Sequence, residues 1–379
     1  MSQYGVDLVA PSFSTVGAFG GYMAGGGHST LTSSHGLGSD QVLSLNVVTA
    51  DGSFVTASPD INSDLFFALR GGGGGTFGIV TSVVVKTHSP VNVTSIDIAI
   101  SSLDTGIPLF WKAMQVYFIY ESTIVDAGGI DRTYIYPLNN ATLFNFTTKL
   151  EFPGKTGPEV LSFAQTLATS LSTIGVNITL PPPKTAAWAT QVLGEGAPIR
   201  DERFASRLIP RAVWDNPAKY STAMAALRKI CQEGGYQFHG TAMAPTLELA
   251  GYPGNTSAAN PAFRDTVMHF VVYDSFRTNA PGVTPAEDLT ARARLSRYTD
   301  YIRAATPGSG SYMNEADVVE PNWQGSFFGG NYERLVGVKR KWDPWGVFWA
   351  PATVGSERWE VRTADGKPTQ NGRLCRVRG

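Results

Sequence analysis

The sequence predicts an α+β protein of two domains, and three observations carry this prediction. Strands and two glycine clusters dominate the first 92 residues. From about Val93 to Thr306, amphipathic helices alternate with strands in which apolar and polar residues alternate. A segment rich in aromatic residues and asparagine follows. We therefore divide the chain into residues 1–92, 93–307, 308–360 and a polar tail, 361–379, which is expected to be loosely held.

The first region is predicted to contain a hairpin, a short helix and a third strand. Residues 42–50, rich in valine and leucine, and residues 54–58 are joined by an Asp-Gly-Ser turn, which is typical of a hairpin. A helix is expected over 62–70, because polar capping residues and an acidic residue open it. The β-branched run within 77–88 predicts a buried strand.

The middle region is predicted to pack helices on one mostly antiparallel sheet. In the strand 142–152, Phe144, Phe146, Leu150 and Phe152 alternate with polar residues, so one face is buried and the other faces water or a cavity. The predicted strands are 94–102, 131–138, 142–152 and 265–274. The predicted helices are 105–121, 157–175, 218–235, 285–306 and, beyond this region, 331–344, which ends at an Asp-Pro pair.

Charge and composition narrow the range of partners. The chain carries 30 basic and 31 acidic residues and a net charge of −1, which leaves no basic field for nucleic acid or an anionic membrane. No segment approaches a transmembrane length. The two cysteines, Cys231 and Cys375, make neither a disulfide framework nor a metal cluster, although a single bridge between them stays open. Small organic substrates are the better expectation.

The compartment is left open by the sequence. The first residues lack a basic region followed by an apolar run, so no signal peptide is predicted there. Sequons occur either by chance or because the protein is, or once was, secreted. They lie at Asn92, Asn140, Asn145, Asn177 and Asn255.

Glycine is concentrated in two places, with seven residues between Gly20 and Val42 and five in a row at 71–75. A phosphate-binding P-loop is excluded, because it needs a lysine after its last glycine and Thr76 stands there. Either these glycines turn corners between strands, or glycine-rich turns converge on one extended ligand and offer it main-chain N–H groups. We favour the second interpretation, because two clusters flanked by strands lie so close together.

A dinucleotide-binding fingerprint is formally present at Gly73, Gly75 and Gly78. That motif works only when a strand precedes it and a helix follows, so that the helix N-terminus meets the pyrophosphate. Here the predicted order is inverted. The Rossmann interpretation is therefore rejected.

Three long motifs resemble a known family. They are TVGAFGGYMAGGGHSTLTSSHGLGSDQVLSLNVVTADG, NSDLFFALRGGGGGTFGIVTSVVVK, and YMNEAD followed by NWQGSFFGGNYERLVGVKRKWDPWGVF. The sequence resembles the FAD-linked oxidoreductases of the berberine-bridge-enzyme-like family, of the vanillyl-alcohol-oxidase or p-cresol-methylhydroxylase (PCMH) fold. The resemblance spans nearly the whole chain and is weakest in the middle. It implies a PCMH-type FAD-binding domain interrupted by a substrate domain with an antiparallel sheet, to which the segment 308–360 returns.

The resemblance also implies which residues surround FAD. One group lies along the pyrophosphate and isoalloxazine, a second supports the ribityl and adenosine side, a third gives main-chain contacts, and a fourth approaches the flavin ring. In that order, the implied contacts are Thr15, Val16, Gly17, Gly20, Gly21, Gly25, Gly26, Gly27 and His28; Gly36, Leu37 and Asp40; Gly78 and Val80; and Tyr312, Asn314, Asn331 and Tyr332.

The sequence departs from the family pattern at its start. Members carry an upstream FAD subdomain that often includes a histidine bonded covalently to the flavin, and this chain begins after that point. A second covalent link uses a cysteine just before the TVG motif, where this chain has Phe13 and Ser14. We therefore expect only the second half of the FAD-binding domain and non-covalent FAD. The alternative is a truncated, non-catalytic remnant, or a subunit that needs a complementing chain.

Flavin-linked oxidation needs a base that faces the ring. Alternation along 265–274 places His269 and Tyr273 on one face, where either could be that base or a half-buried sheet residue with satisfied hydrogen bonds. His28 is weighed equally between a neighbour of the cofactor and an ordinary loop residue. The histidine spacing predicts no metal site. The expected reaction oxidises an alcohol, amine or benzylic C–H of a small, secondary-metabolite-like molecule, with molecular oxygen as acceptor.

Overall fold

The computed structural model describes residues 1–190, 203–276, 280–367 and 371–377. It confirms the α+β prediction, with helices packed against antiparallel sheets. The strands are β1 Val42–Val48, β2 Phe54–Ala57, β3 Ile79–Val85, β4 Asn92–Ser101, β5 Ile130–Leu138, β6 Leu143–Pro153, β7 Lys184–Ala187, β8 Arg203–Pro210, β9 Gln237–Ala242, β10 Thr266–Asp274, β11 Trp359–Arg362 and β12 Arg373–Arg376.

Helices connect these strands and cover the larger sheet. In chain order they are α1 Met23–Gly25, α2 Thr32–His35, α3 Ser63–Ala68, α4 Ser102–Thr105, α5 Ile107–Ile119, α6 Glu121–Asp126, α7 Gly157–Thr173, α8 Pro217–Gln232, α9 Leu247–Gly254, α10 Pro285–Ala305, α11 Trp323–Phe328 and α12 Tyr332–Trp342. None of the described helices is both long enough and apolar enough to span a bilayer.

A small sheet in the order β2-β1-β3 contains the predicted hairpin. Leu45 and Val47 of β1 are buried, and they belong to one apolar cluster with helix α3 and with Leu335 and Val338 of α12. The C-terminal helix therefore packs on the first region of the chain. The prediction of a buried third strand was wrong, because β3 is an edge strand whose residues are exposed or half-buried.

The large sheet has seven antiparallel strands in the order β7-β4-β6-β5-β9-β10-β8. Its inner face packs on α5, α7, α8 and α10 in one apolar cluster. Phe144, Phe146, Leu150 and Phe152 all point into that cluster, as their alternation along β6 predicts. Burying each such side chain contributes about 1.5–3 kcal/mol, so this face holds most of the folding energy of the region.

The sequence prediction missed β7, β8, β9, β11 and β12, and two of these, β8 and β9, are buried strands whose polar residues and glycine conceal their burial. In β8, which lies at a sheet edge, the buried Arg203 pairs with Asp274 and Asp288, and the buried Arg207 donates to Thr306. In β9, Gly240 interrupts the pattern, and a Cβ there would lie 2.7 Å from the Phe238 ring. The burial of both strands is therefore explained by contacts with residues that lie far away in the sequence or on the same strand.

The structure corrects one further expectation and decides one question that the sequence left open. The tail from 361 was predicted to be loosely held, yet β11 and β12 pair as an antiparallel hairpin across its start. The disulfide left open between Cys231 and Cys375 is absent, since both described thiols are free. The predicted domain borders remain predictions.

Candidate functional site

The candidate site lies where the first glycine cluster meets the segment that begins at Ser311. The Tyr312 hydroxyl accepts a hydrogen bond from the Gly27 N–H at 3.1 Å. Asn314 Nδ2 donates to the Gly21 carbonyl and to the Tyr312 hydroxyl, both at 2.8 Å. Residues almost 290 positions apart in the sequence are thereby fixed against each other.

The glycines in this loop serve two different purposes. A Cβ at Gly25 would lie 2.1 Å from Asn314 Oδ1, and a Cβ at Gly27, where φ is +84°, would lie 2.7 Å from the Tyr22 ring. At the buried Gly26, where φ is +133°, a Cβ would lie 3.4 Å from the rings of Phe263 and Tyr312, so the backbone conformation rather than space favours glycine there. Gly25 and Gly27 make room for the protein's own side chains.

Other glycines of the same loop face open space. A Cβ at Gly17, Gly20 or Gly21 would meet no described atom within 4 Å. The second cluster approaches at this point, because a Cβ on Gly74 would lie 3.2 Å from the Gly21 Cα. The two clusters therefore meet backbone to backbone, next to an open glycine surface.

Three side chains with titratable groups converge beside this loop. His28 Nε2 lies 2.9 Å from Glu315 Oε1, and His269 Nδ1 lies 3.5 Å from Glu315 Oε2. The two histidine rings have centroids 5.7 Å apart, and the Tyr312 ring packs edge-on against both. We call His28, His269 and Glu315 the His–Glu cluster.

The electrostatic surroundings shift the pKa values of two members of the His–Glu cluster, Glu315 and His269. Burial alone would raise the pKa of Glu315, but His28, which shares a hydrogen bond with it, and the nearby His269 and His239 lower that pKa to about 2. Burial lowers the pKa of His269 to about 3, against the attraction of Glu315. An ionised carboxylate thus lies beside a neutral, fully buried imidazole.

His269 and Tyr273 lie on the same face of β10, but only His269 reaches the His–Glu cluster. Tyr273 packs towards the far end of the strand, with ring centroids 5.9 Å from Phe204 and 6.4 Å from His239. Glu315 was missed by the sequence prediction of the base. The sequence feature that could have identified Glu315 is its position directly after Asn314, within the YMNEAD motif that carries the resemblance.

A cavity of about 750 Å³ opens on the outer face of the seven-stranded sheet. Arg132, Tyr134 and Lys149 line it, together with the segment 177–181. The Tyr134 ring stacks on the His239 ring at 4.3 Å, since the two residues are register partners on β5 and β9. Burial and Tyr136 raise the pKa of Tyr134, and Glu315 adds to the rise, so the cavity wall lies within electrostatic reach of the cluster.

The predicted adenosine-side residues are packed inside the protein. Asp40 is fully buried, and both its oxygens accept hydrogen bonds from Arg264 at 2.8 Å. Leu37 belongs to a small apolar cluster, and a Cβ at Gly36, where φ is +86°, would lie 2.8 Å from Asp40 Oδ2. These contacts account for the three residues without a ligand, and their role towards a cofactor stays a prediction.

The other predicted cofactor contacts lie outside the His–Glu cluster. Thr15 and Val16 are exposed, Gly78 precedes β3 and Val80 pairs with Val47 within the small sheet. Asn331 Nδ2 donates to the Ala258 and Ala259 carbonyls, and the Tyr332 hydroxyl donates to Glu357 at 2.7 Å. Their predicted roles remain predictions too.

Comparisons with known proteins agree with this architecture. Residues 311–355 match the family described as berberine and berberine like. The chain is 33% identical to "FAD-linked oxidoreductase orf1" of Neocamarosporium betae, over 99% of this chain and 64% of the relative. It is 32% identical to the "VAO-type flavoprotein oxidase VAO615" of Thermothelomyces thermophilus, over 98% of this chain and 62% of the relative.

A solved structure shares the fold. The VAO-type flavoprotein MtVAO615 from Myceliophthora thermophila C1 superposes with a TM-score of 0.86 at 30% identity, over 99% of this chain and 66% of that one. The fold is thus of the vanillyl-alcohol-oxidase type. Over nearly its whole length the chain is similar to berberine-bridge-like, FAD-linked oxidoreductases of that type, and it spans 64% and 62% of the length of the two curated relatives named above.

Proposed function

We propose that this chain carries the substrate side and the proton-transfer side of an FAD-dependent oxidoreductase. The reaction is the oxidation of an alcohol, amine or benzylic C–H of a small organic molecule, with oxygen as the electron acceptor. One observation carries the proposal: the His–Glu cluster lies against the glycine loop, to which Tyr312 and Asn314 are hydrogen-bonded. A base, an orienting carboxylate and a backbone-lined surface are what such a reaction requires.

The residues present fit a flavin nucleotide. The open backbone at Gly17, Gly20 and Gly21, with Gly74 against it, would hold the cofactor without side-chain obstruction. Both ring nitrogens of the buried His269 lack a hydrogen-bond partner among the described residues, which is the state expected of a group that waits for a ligand. When bound, FAD supplies the hydride acceptor. We propose non-covalent binding, because Phe13 and Ser14 offer no thiol.

His28 is the proposed proton acceptor. Because Glu315 is ionised, the proton shared between Oε1 and Nε2 belongs to the imidazole, and Nδ1 of His28 is left as the accepting nitrogen. When Nδ1 takes the substrate proton, Glu315 neutralises the imidazolium charge that forms. His269 stays neutral and is free to hydrogen-bond the substrate.

The cavity on the sheet supports a small organic substrate. Its volume of about 750 Å³ lies within the range of small-molecule sites, and Tyr134 and Lys149 offer polar groups at its wall. The net charge of −1 also favours a small organic substrate over nucleic acid.

The test combines flavin binding with turnover. The purified chain is mixed with FAD, and hydrogen peroxide formation is followed with a panel of small alcohols, amines and benzylic compounds. We expect Glu315→Gln and His28→Gln to bind FAD like the wild type but to turn over about 10²- to 10⁴-fold more slowly. The matched control is His88→Gln, which alters a half-buried histidine outside the His–Glu cluster. Equal turnover in all four proteins would refute the proposal.

The second candidate is a subunit that completes its flavin site with another chain, or a non-catalytic remnant. The chain spans 64% of the length of one curated relative and 62% of another. A subunit and a remnant are distinguished by adding, as a separate polypeptide, the part of the 32%-identical relative that this chain does not span. Flavin binding that appears only with this polypeptide would identify a subunit, and none in either case a remnant.

A further inference from the structure

The His–Glu cluster has a second chemical capacity besides proton transfer. Its ligand-type atoms, a ring nitrogen from each of His28 and His269 and a carboxylate oxygen of Glu315, all lie within 4.8 Å of one another. We propose that these three residues form a binding site for one divalent cation of the zinc type, and that the filled site blocks the oxidation. The second half of this inference rests on the proposed function, and the first half stands without it.

The distances suit tetrahedral zinc. Zinc bonds of about 2.0–2.2 Å to histidine nitrogen and carboxylate oxygen place neighbouring ligand atoms about 3.4 Å apart in a tetrahedron. In the cluster the histidine nitrogens lie 2.9 and 3.5 Å from the two oxygens of Glu315. Small side-chain rotations would therefore bring three ligands around one ion. Two histidines and one glutamate, with a fourth position left to water, make a ligand set that zinc accepts.

One proposed ligand of the site, His269, has no hydrogen-bond partner among the described residues. His269 is fully buried, and neither of its ring nitrogens has a hydrogen-bond partner among the described residues. A buried polar group without a partner costs free energy, and a cation bound at Nδ1 would remove that cost. Tyr312 packs edge-on against both histidine rings, which restricts their rotation and keeps the ligands together.

Cation binding and proton acceptance exclude each other here. The cation would occupy a nitrogen of His28 and take the carboxylate that neutralises the imidazolium. His28 could then no longer bind the substrate proton with the support of Glu315. A filled site therefore stops the reaction, whether or not the flavin is in place.

The first experiment measures zinc binding by calorimetry on the chelator-treated, FAD-free chain. We expect one zinc ion per chain, and at least about tenfold weaker binding in Glu315→Gln and His269→Gln. Two control variants should bind like the wild type. His88→Gln changes the stacked His35–His88 pair, and Cys375→Ser removes the less buried thiol. Loss of binding in either control, with retention in Glu315→Gln, would overturn the site.

A second measurement keeps the test decisive if a variant fails to fold, as judged by circular dichroism. Cobalt(II) added to the wild-type chain should give visible bands of a four-coordinate site with nitrogen and oxygen ligands. A thiolate charge-transfer band, or no band at all, would contradict the assignment.

The third arm adds zinc to the turnover assay, where we expect a stoichiometric loss of activity. A zinc-saturated chain with unchanged turnover would overturn the inhibitory half. If no turnover is found in any protein, the proposed function fails, and the binding data alone decide the cation site.

Discussion

The two faces of the seven-stranded sheet arise from the same alternation of apolar and polar residues, yet one face is packed against helices and the other is partly exposed. On the inner face, Phe144, Phe146 and Leu150 are fully buried against helices. On the outer face, their neighbours Asn145, Thr147 and Lys149 are exposed or half-buried, and Thr147 and Lys149 line the cavity. The comparison teaches that one strand pattern can supply folding energy on one side and leave the other side free for chemistry.

The largest expected difference between the faces concerns stability. Phe146→Ala should lower the free energy of unfolding by about 3–5 kcal/mol, because the Phe146 ring packs against Tyr117 at 4.6 Å inside the core. Thr147→Ala, one residue along and on the exposed side, should change it by no more than about 0.5 kcal/mol. Urea titrations of both variants measure this. Similar losses in the two would erase the distinction between the faces.

The faces should also respond to pH in opposite directions. Burial raises the pKa of Asp131, on the inner face, to about 6, against hydrogen bonds from Tyr117 and the Ala242 N–H. This folded pKa lies above the unfolded value of about 3.9, so the stability that Asp131 contributes is lost as pH rises through about 6. Burial lowers the pKa of His239, on the outer face, to about 4. Its unfolded value is about 6.5, so stability is lost as pH falls below that.

Each group accounts for about 3 kcal/mol between its two pKa values, at about 1.4 kcal/mol per pH unit. Compared with the wild type, Asp131→Asn should become relatively more stable as pH rises from 4 to 6, and His239→Gln relatively less stable. Unfolding free energies at several pH values test the sign. Parallel curves for the wild type and both variants would contradict the assignment of opposite slopes.

A smaller effect separates the two kinds of glycine in the first loop. Gly25→Ala should cost about 1–3 kcal/mol, because the new methyl group would displace Asn314 from its bonds to Gly21 and Tyr312. Gly17→Ala, where the Cβ meets open space, should stay within about 0.5 kcal/mol of the wild type in the absence of a ligand. Thermal unfolding of the two variants measures the difference. An equal cost at both positions would show that the loop is packed throughout.

Local patterns made much of the fold predictable. The alternation in β6 and the helical periodicity of α7 and α8 appear in the structure within two or three residues of their predicted ends. The errors arise where contacts between residues distant in the sequence determine whether a residue or strand is buried. Arg203 of β8 looks like a surface residue until Asp274 and Asp288 are known, and β3 looks buried because its β-branched residues do not reveal that it is an edge strand.

The site was only partly predictable for the same reason. His28 and His269 were candidates because of a motif and a strand face, but nothing local in the sequence indicates that they meet. Glu315 joins them from 287 residues beyond His28, and its pKa is lowered by His28, His269 and His239, which only the fold brings near it. Tyr273 shares the strand face of His269, yet four residues along β10 it packs with Phe204 instead. Hydrophobic periodicity predicts the face of a strand on which a residue lies. Which distant residues come into contact depends on the tertiary fold.

Titration of the purified chain with FAD tests the central claim most directly. It is followed by flavin fluorescence, with and without the separately supplied part of the VAO-type relative. We predict saturable binding of one FAD per chain in at least one of these conditions, with hydrogen peroxide formation that Glu315→Gln slows by about 10²- to 10⁴-fold while the flavin stays bound. Flavin fluorescence that remains unchanged in both conditions would contradict the account.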